Sequence, residues 1–451
     1  MSQFPSTPPI GLEPKPWVFP ATIIHELPNG LTIAAICLPS LPIVQVRWAF
    51  KSGRIHESID RLGSAVLLQT MMRHGTQDMD SAALAEHLDR LGARLGINVS
   101  IDSAMVAVSA LSKHLPHALD LVTKVALDPR LPESALERER SNAIQIHHHE
   151  RTQPDVLTSL ALAEGMYGNH PYGRPLTDEL GLERTTIGDI RALHAAIVDP
   201  ARAMLVVVGD IDPERVIRSM EERFGAAPSG TAPIPRVPAS PATMKQSIRL
   251  IERPGAEQSS VGVGMLAVPR KHADFLALRI ANQVFGGGAS SRLFMELRER
   301  QGLTYGAYSS LDCGLHEGDI SASLSCAPNK TAQAVTELMS ELARMGDGTL
   351  TSEDVGHAKQ FLVGSFPQRA TGLGGVSALV NAAWLHDLPN DSWSGYQTRL
   401  DSTSIDEVCR VSREWFRPER SCLVVTGTPE AIDAVQAAVE PWGAPISRTK
   451  S

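Results

Sequence analysis

The chain has 451 residues, 43% of them hydrophobic and 20% charged, so it exceeds the length over which one core keeps growing and is expected to form at least two domains. A formal net charge of −8 argues against a general nucleic-acid or anionic-membrane binder. Five cysteines (Cys37, Cys313, Cys326, Cys409, Cys422) make an odd set without a C-x-x-C pair, which argues against a disulfide framework, against a cysteine-based zinc site and for a reducing compartment.

The opening segment, MSQFPSTPPIGLEPKPWVFP, lacks the basic start and unbroken apolar run of a secretion leader and reads as an arm. That points to the cytoplasm, although a periplasmic chain whose leader had been removed would look the same. The apolar stretch from Leu31 to Phe50 is broken by Pro39 and Pro42 and carries Gln45 and Arg47, so it reads as two strands and not as a bilayer-spanning helix. A strand-like VQVRWAFKSG then leads into GSAVLLQTMMRHGT, residues 63–76, and a second helical stretch, SAALAEHLDRLGA. His114 and His117 form an H-x-x-H pair with no carboxylate at metalloprotease spacing. His147, His148 and His149, followed by Glu150, are consecutive, and consecutive helical side chains diverge by about 100°, so they cannot close on one ion from a single face. They read as a solvated helix surface, with adventitious metal capture as the alternative.

Residues 225–243, GAAPSGTAPIPRVPASPAT, hold five prolines and read as an extended linker at the midpoint of the chain. The segments flanking it repeat. TTIGDIRALHAAIVDPARAMLVVVGDIDPE near the end of the first half matches STSIDEVCRVSREWFRPERSCLVVTGTPE near the end of the second. Ile187, Pro200 and Gly209 correspond to Ile405, Pro418 and Gly427 at one constant offset of 218 residues. Each copy reads as a capped amphipathic helix, a proline turn, a buried strand, glycine and another capped helix. A duplicated α/β unit is the reading; two unrelated units with similar turns are the alternative.

In the second half FGGGASSRLFMELRERQGLTYGAYSSL, residues 285–311, is the most distinctive stretch. Arg298 falls on the last helical turn, Gly302 is placed to end the helix, and Leu303 to Tyr308 reads as strand. Taken alone, Arg298 beside Glu299 reads as a surface ion-pair residue and Tyr305 as a core residue. Gly286, Gly287 and Gly288 follow a helix and precede no Gly-Lys-Ser/Thr, which excludes a phosphate loop. They are either a turn or a place of close backbone approach.

From roughly residue 23 to 445 these segments resemble the pitrilysin, or M16, family of metallopeptidases. The family carries H-x-x-E-H inside a helix of the form G-L-A-H-F-L-E-H-M-L-F-K-G-T, which residues 63–76 match without a gap. Val66, Gln69 and Thr70 then stand at the positions of the first histidine, the glutamate and the second histidine. Matching Glu139 and Arg140 to the family's E-R-x-V-I-L-x-E-M puts Ile146 at the third ligand. A catalytic zinc needs three protein donors and an open position, and a general base needs a carboxylate, so the resemblance implies a degenerate site with no metal in this chain.

The 285–311 block matches the family's Gly-rich turn, S-R-L-F, L-R-E and G-L-x-Y. There Arg and Tyr at this spacing come from the half without zinc, bind the substrate backbone and stabilise the oxyanion that grows as water attacks the peptide carbonyl. The glycines lie beside the substrate path. The resemblance therefore implies an α+β fold of two homologous α/β domains, LuxS/MPP-like. Each is a mostly antiparallel sheet packed with helices, residues 1–225 and 246–451 about a 226–245 linker, and together they form half of a clamshell. It implies the Arg298/Tyr305 subunit of a bacterial heterodimeric M16B-type peptidase, whose partner bears the zinc and which encloses unfolded peptide. The alternative is an inactive scaffold or peptide-binding protein.

Overall fold

The computed structural model describes residues 17–226, 237–238 and 244–450. The arm before Trp17 and nearly all of the proline-rich linker lie outside those residues.

Two six-stranded sheets organise the chain. The first runs in the order Ile23–Glu26, Thr32–Cys37, Ala203–Gly209, Ile43–Phe50, Ala104–Leu111, Arg94–Val99. The second runs Ile446–Lys450, Ser247–Glu252, Cys422–Gly427, Ser259–Ala267, Gly318–Cys326, Thr304–Cys313. Four of the five pairings in the first sheet are antiparallel, Thr32–Cys37 with Ala203–Gly209 being the parallel one. The second has three antiparallel and two parallel pairings. The 218-residue repeat is thus visible in topology. Ala203–Gly209 and Cys422–Gly427 hold equivalent central places, buried along their whole length as strands covered on both faces must be. Their preceding helices, Ile187–Ile197 and Ile405–Trp415, open on matching capping boxes, Thr186 with Asp189 and Ser404 with Glu407.

The strand IVQVRWAF shows how the pattern divides the first sheet. Val46, Trp48 and Phe50 enter a core with helices Ser64–Met71 and Leu115–Leu127, which leaves Gln45 and Arg47 on the opposite face. On that opposite face the two halves exchange helices. Leu373–Leu385, from the second half, lies on Ala203–Gly209 and Ile43–Phe50; Pro154–Tyr167, from the first, lies on Ser259–Ala267 and Cys422–Gly427. Glycine in the receiving strand permits the close approach. A Cβ at Gly262 would meet Thr158 Cγ2 at 3.0 Å, and one at Gly264 would meet Met166 Sδ at 2.5 Å. Leu162 and Met166 are buried by this crossing, each contributing ~1.5–3 kcal/mol relative to an exposed side chain.

Polar ties follow the same seam. The Thr158 hydroxyl donates to Thr426 Oγ1 at 2.8 Å and Tyr167 to Asp319 Oδ2 at 2.7 Å. The Tyr172 hydroxyl and the Leu315 N–H both donate to Asp102 Oδ2. All five cysteines are free thiols. Among the described residues no helix is long and apolar enough to cross a membrane.

Candidate functional site at two open sheet edges

Helix Ser64–Met71 begins where Gly63 takes a left-handed φ of 107°, so close to Leu182 that a Cβ there would meet Leu182 Cδ2 at 2.5 Å. The buried Glu57 carboxylate caps the helix, accepting the Gly63 and Ala65 N–H groups at 2.8 and 2.9 Å through Oε1. Burial raises the Glu57 pKa, while those N–H groups and Arg54 oppose the rise. Leu67, Leu68 and Met71 face the core, which turns Val66, Gln69 and Thr70 together onto the other, half-buried face, as positions i, i+3 and i+4 must be. Gln69 is committed elsewhere: its Oε1 accepts the Val99 N–H at 2.9 Å, tying the helix to the edge strand of the first sheet. The Thr70 hydroxyl donates to the Val66 carbonyl at 3.0 Å.

Helix Glu133–Glu150 packs beside this one. Ile146 projects 59% exposed, while Ala143 and Leu136 are the buried positions. Glu139 meets His74 at 3.2 Å, and Arg140 donates to the carbonyls of Leu182, Glu183 and Thr185, capping the end of helix Glu179–Arg184. His147 Nδ1 lies 2.9 Å from Thr177 Oγ1 and His148 pairs with Glu179 at 3.0 Å, so two of the three consecutive histidines fasten this helix to its neighbours. His114 and His117 contact each other through their rings. Among the described residues no three His, Cys, Asp or Glu side chains are grouped so as to hold a metal. A valine, an amide engaged with backbone, a hydroxyl bonded to its own helix and an outward isoleucine do not fit zinc.

The second sheet ends on the open edge strand Thr304–Cys313, equivalent in place to Arg94–Val99 in the first. Before it, residues Phe294–Arg300 form a wide helical turn in which the Gln301 N–H reaches back to Glu296 O. Gly302, at φ 59°, then reverses the chain, as expected from its position. Arg298 lies over the Phe294 ring at 4.6 Å and 3.5 Å from Glu299. The ladder to Gly318–Cys326 is interrupted between Thr304 and Ala307, where two residues oppose Ser325 alone. Thr304 stabilises this bulge, its hydroxyl donating to Ser325 O at 2.6 Å and accepting the Gly306 N–H at 3.1 Å. Tyr305 sits on the bulge, 87% exposed, so the reading of it as a core residue is corrected: the extra residue turns the ring out of the sheet.

A groove of about 510 Å³ runs beside Tyr305 under the exchanged helix, lined by Asp155, Thr158, Ser260, Tyr308, Ser323 and Ser325 among others. Gly286 ends helix Phe275–Gly286 against this strand, and a Cβ there would lie 2.5 Å from Ser309 N. A Cβ at Gly287 would meet Gln283 Oε1 at 2.5 Å, and one at Gly288 would meet Gln283 Nε2 at 3.3 Å. All three glycines have negative or unremarkable φ, so close approach explains them, Gly286 most clearly.

Family models match both halves: residues 32–179 fit the insulinase domain of peptidase family M16 and residues 184–362 the peptidase M16 inactive domain. The chain belongs to the M16 peptidase family. An uncharacterized zinc protease of Mycobacterium bovis is 28% identical over 342 residues, 75% of this chain and 78% of the relative. A non-peptidase homolog of Helicobacter pylori is 22% identical over 82% of this chain and 84% of its own length. The solved M16 inactive-domain structure from Pseudomonas fluorescens superposes with a TM-score of 0.84 at 23% identity, covering 90% of this chain and 98% of that one. These likenesses account for the duplicated α/β architecture. Within the M16 fold the two candidate features of this chain, a helix stripped of donors and a bulged tyrosine, stand at equivalent open edges of its two sheets.

Proposed function

We propose that this chain is the non-zinc subunit of a two-chain M16 endopeptidase, holding peptide and stabilising the transition state with Arg298 and Tyr305. The observation that carries the reading is Tyr305, an exposed phenol on a bulge at an open strand edge, seven residues beyond an exposed guanidinium. Folding gains nothing from placing that ring in solvent. A partner chain of similar fold with an intact H-x-x-E-H supplies the zinc and the water-activating carboxylate. Unfolded peptide adds to a strand edge through main-chain hydrogen bonds. A guanidinium fork and a phenol hydroxyl are both donors, and both serve where negative charge grows on the peptide oxygen.

The purified chain is expected to hydrolyse no peptide with added zinc and to gain activity on mixing with the partner. Arg298→Ala or Tyr305→Phe should then lower kcat by about 100- to 1000-fold. Unchanged turnover in both variants refutes the assignment. The vacated zinc positions also favour a second reading, an inactive scaffold or peptide-binding M16 protein. Co-purification separates the two: the first requires a partner with an intact H-x-x-E-H, the second requires stable association without any gain of proteolysis.

A further inference from the structure

Arg47 stands in the middle of the first sheet on the face away from the core of its own half. Its Nε is buried without a hydrogen-bond partner. Burial lowers its pKa, and no carboxylate acts to raise it. Arg47 is half-buried, so its terminal guanidinium nitrogens stay available to a ligand while the buried Nε is held without a partner, and a carboxylate is the group that suits such a fork. Register shows where that partner would lie. Arg47 pairs directly with Ala107, and Ala107 with Gly96 on the open edge strand, so these three share one face. From the edge to Arg47, about two strand spacings or ~10 Å, only the buried Ala107 methyl group and the half-buried Gly96 intervene on this face. A Cβ added at Gly96 would meet nothing nearer than 4.0 Å.

The charge of this sheet face is one-sided. Strands Ile43–Phe50, Ala104–Leu111 and Arg94–Val99 contain no Asp or Glu, and Arg94 shares the face with Gly96. The corresponding face of the second sheet carries the opposed pair Asp312 and Asp319 and no cation on its two outer strands. Helix Leu373–Leu385, crossing the Arg47 face, brings Ser377 and Asn381 one turn apart, and Ser377 Oγ and Asn381 Oδ1 are also buried without partners. Several orphaned polar atoms at one interface mark a place for a ligand or ordered water.

We propose that Arg47 anchors a carboxylate-binding site on the sheet face beside the Arg94–Val99 edge, selecting peptides that present an acidic group there. The site rests on the peptide-holding reading above and adds substrate class to it. The carboxylate is either an acidic side chain or the C-terminus of the peptide, and one experiment separates them. Fluorescein-labelled unfolded 12-residue peptides with a central Glu-Glu-Glu or Gln-Gln-Gln, each as free acid and as C-terminal amide, are titrated with the full chain at 0.15 M salt and followed by anisotropy. The Glu peptide should bind about tenfold or more tightly than its Gln counterpart, the margin of one charge-assisted hydrogen bond. If the C-terminus is the occupant, the free acid should instead exceed the amide by that factor whichever centre it carries.

Arg47→Met should abolish the preference and leave binding of the amidated Gln peptide unchanged. Because it removes a guanidinium that has no hydrogen-bond partner within the chain, the variant should also melt no lower than the parent, which a merely structural arginine would not allow. Arg47→Lys, retaining charge but not the fork, should keep part of the preference. A preference for acid that survives in Arg47→Met overturns this site alone. Failure of every peptide to bind the parent chain overturns both the site and the peptide-holding reading.

Discussion

Replacing Asp319 by Asn should stabilise the chain at neutral pH. Asp319 lies in strand Gly318–Cys326 directly opposite Asp312 and under the exchanged helix, whose Tyr167 hydroxyl donates to it at 2.7 Å. Burial pushes its carboxyl from 3.8 up to about 6, with Asp312 adding to the rise and hydrogen bonds from Tyr167 and Ser321 opposing it. Well below pH 3.8 the carboxyl is protonated in both folded and unfolded chains. Between 3.8 and about 6 the unfolded chain ionises it while the folded chain holds it protonated, so stability falls with rising pH across that window and levels off above it. The gap between 3.8 and about 6, at 1.36 kcal/mol per unit, corresponds to about 3 kcal/mol at pH 7.5. Asparagine keeps an acceptor for Tyr167 and removes the charge. Denaturant unfolding of parent and Asp319→Asn, compared at pH 4 and pH 7.5, isolates the effect because every other titrating group is common to both. The expected result is a small gain for the variant at pH 4 and a markedly larger one at pH 7.5. A difference that does not change with pH, or a loss at pH 7.5, refutes the reasoning.

Two further experiments test the site. Val66→His, Gln69→Glu, Thr70→His and Ile146→Glu together should let the chain retain one zinc through dialysis, measured by metal analysis, while the same variant lacking Ile146→Glu should release it for want of a third donor. Retention by the three-residue variant would show that Ile146 is not the missing ligand position. Gly286→Ala drives a Cβ to 2.5 Å from Ser309 N and should cost about 1–3 kcal/mol in denaturant unfolding, as overpacking does. An unchanged midpoint would mean that the Thr304–Cys313 strand yields without cost.

Much of this architecture was legible because duplication writes the same local signals twice. Thr186 and Ser404 each start a helix, Pro200 and Pro418 each follow it, and Gly209 and Gly427 each close a strand. The grouping of Val66, Gln69 and Thr70 on one face followed from helical spacing alone. What local pattern could not disclose depends on partners far along the chain. Glu57 caps the 64–71 helix from outside it, and the exchange of Pro154–Tyr167 with Leu373–Leu385 leaves only a faint trace in the alternating Gly262 and Gly264. The exposure of Tyr305 hinged on a bulge, for which Gly306 inside an apolar strand was the available cue. Arg47 was visible as an odd residue in a strand, but its lack of a partner is a three-dimensional fact.

Two positions defy folding economy, Tyr305 on an edge strand of the second sheet and Arg47 two strands in from an edge of the first. Tyr305 leaves an aromatic ring in water, and Arg47 keeps an unpaired cation half out of it. Evolution toward stability alone replaces such residues readily, because serine at the first and methionine at the second would fold at least as well. By contrast, Val66 and Ile146 offer no lone pair to a metal and cost the fold nothing. A scaffold freed from catalysis would be expected to relax both edges alike. This chain combines a helix without metal donors with an exposed phenol on the edge strand of the other sheet, and that asymmetry is what the proposed substrate-holding subunit rests on.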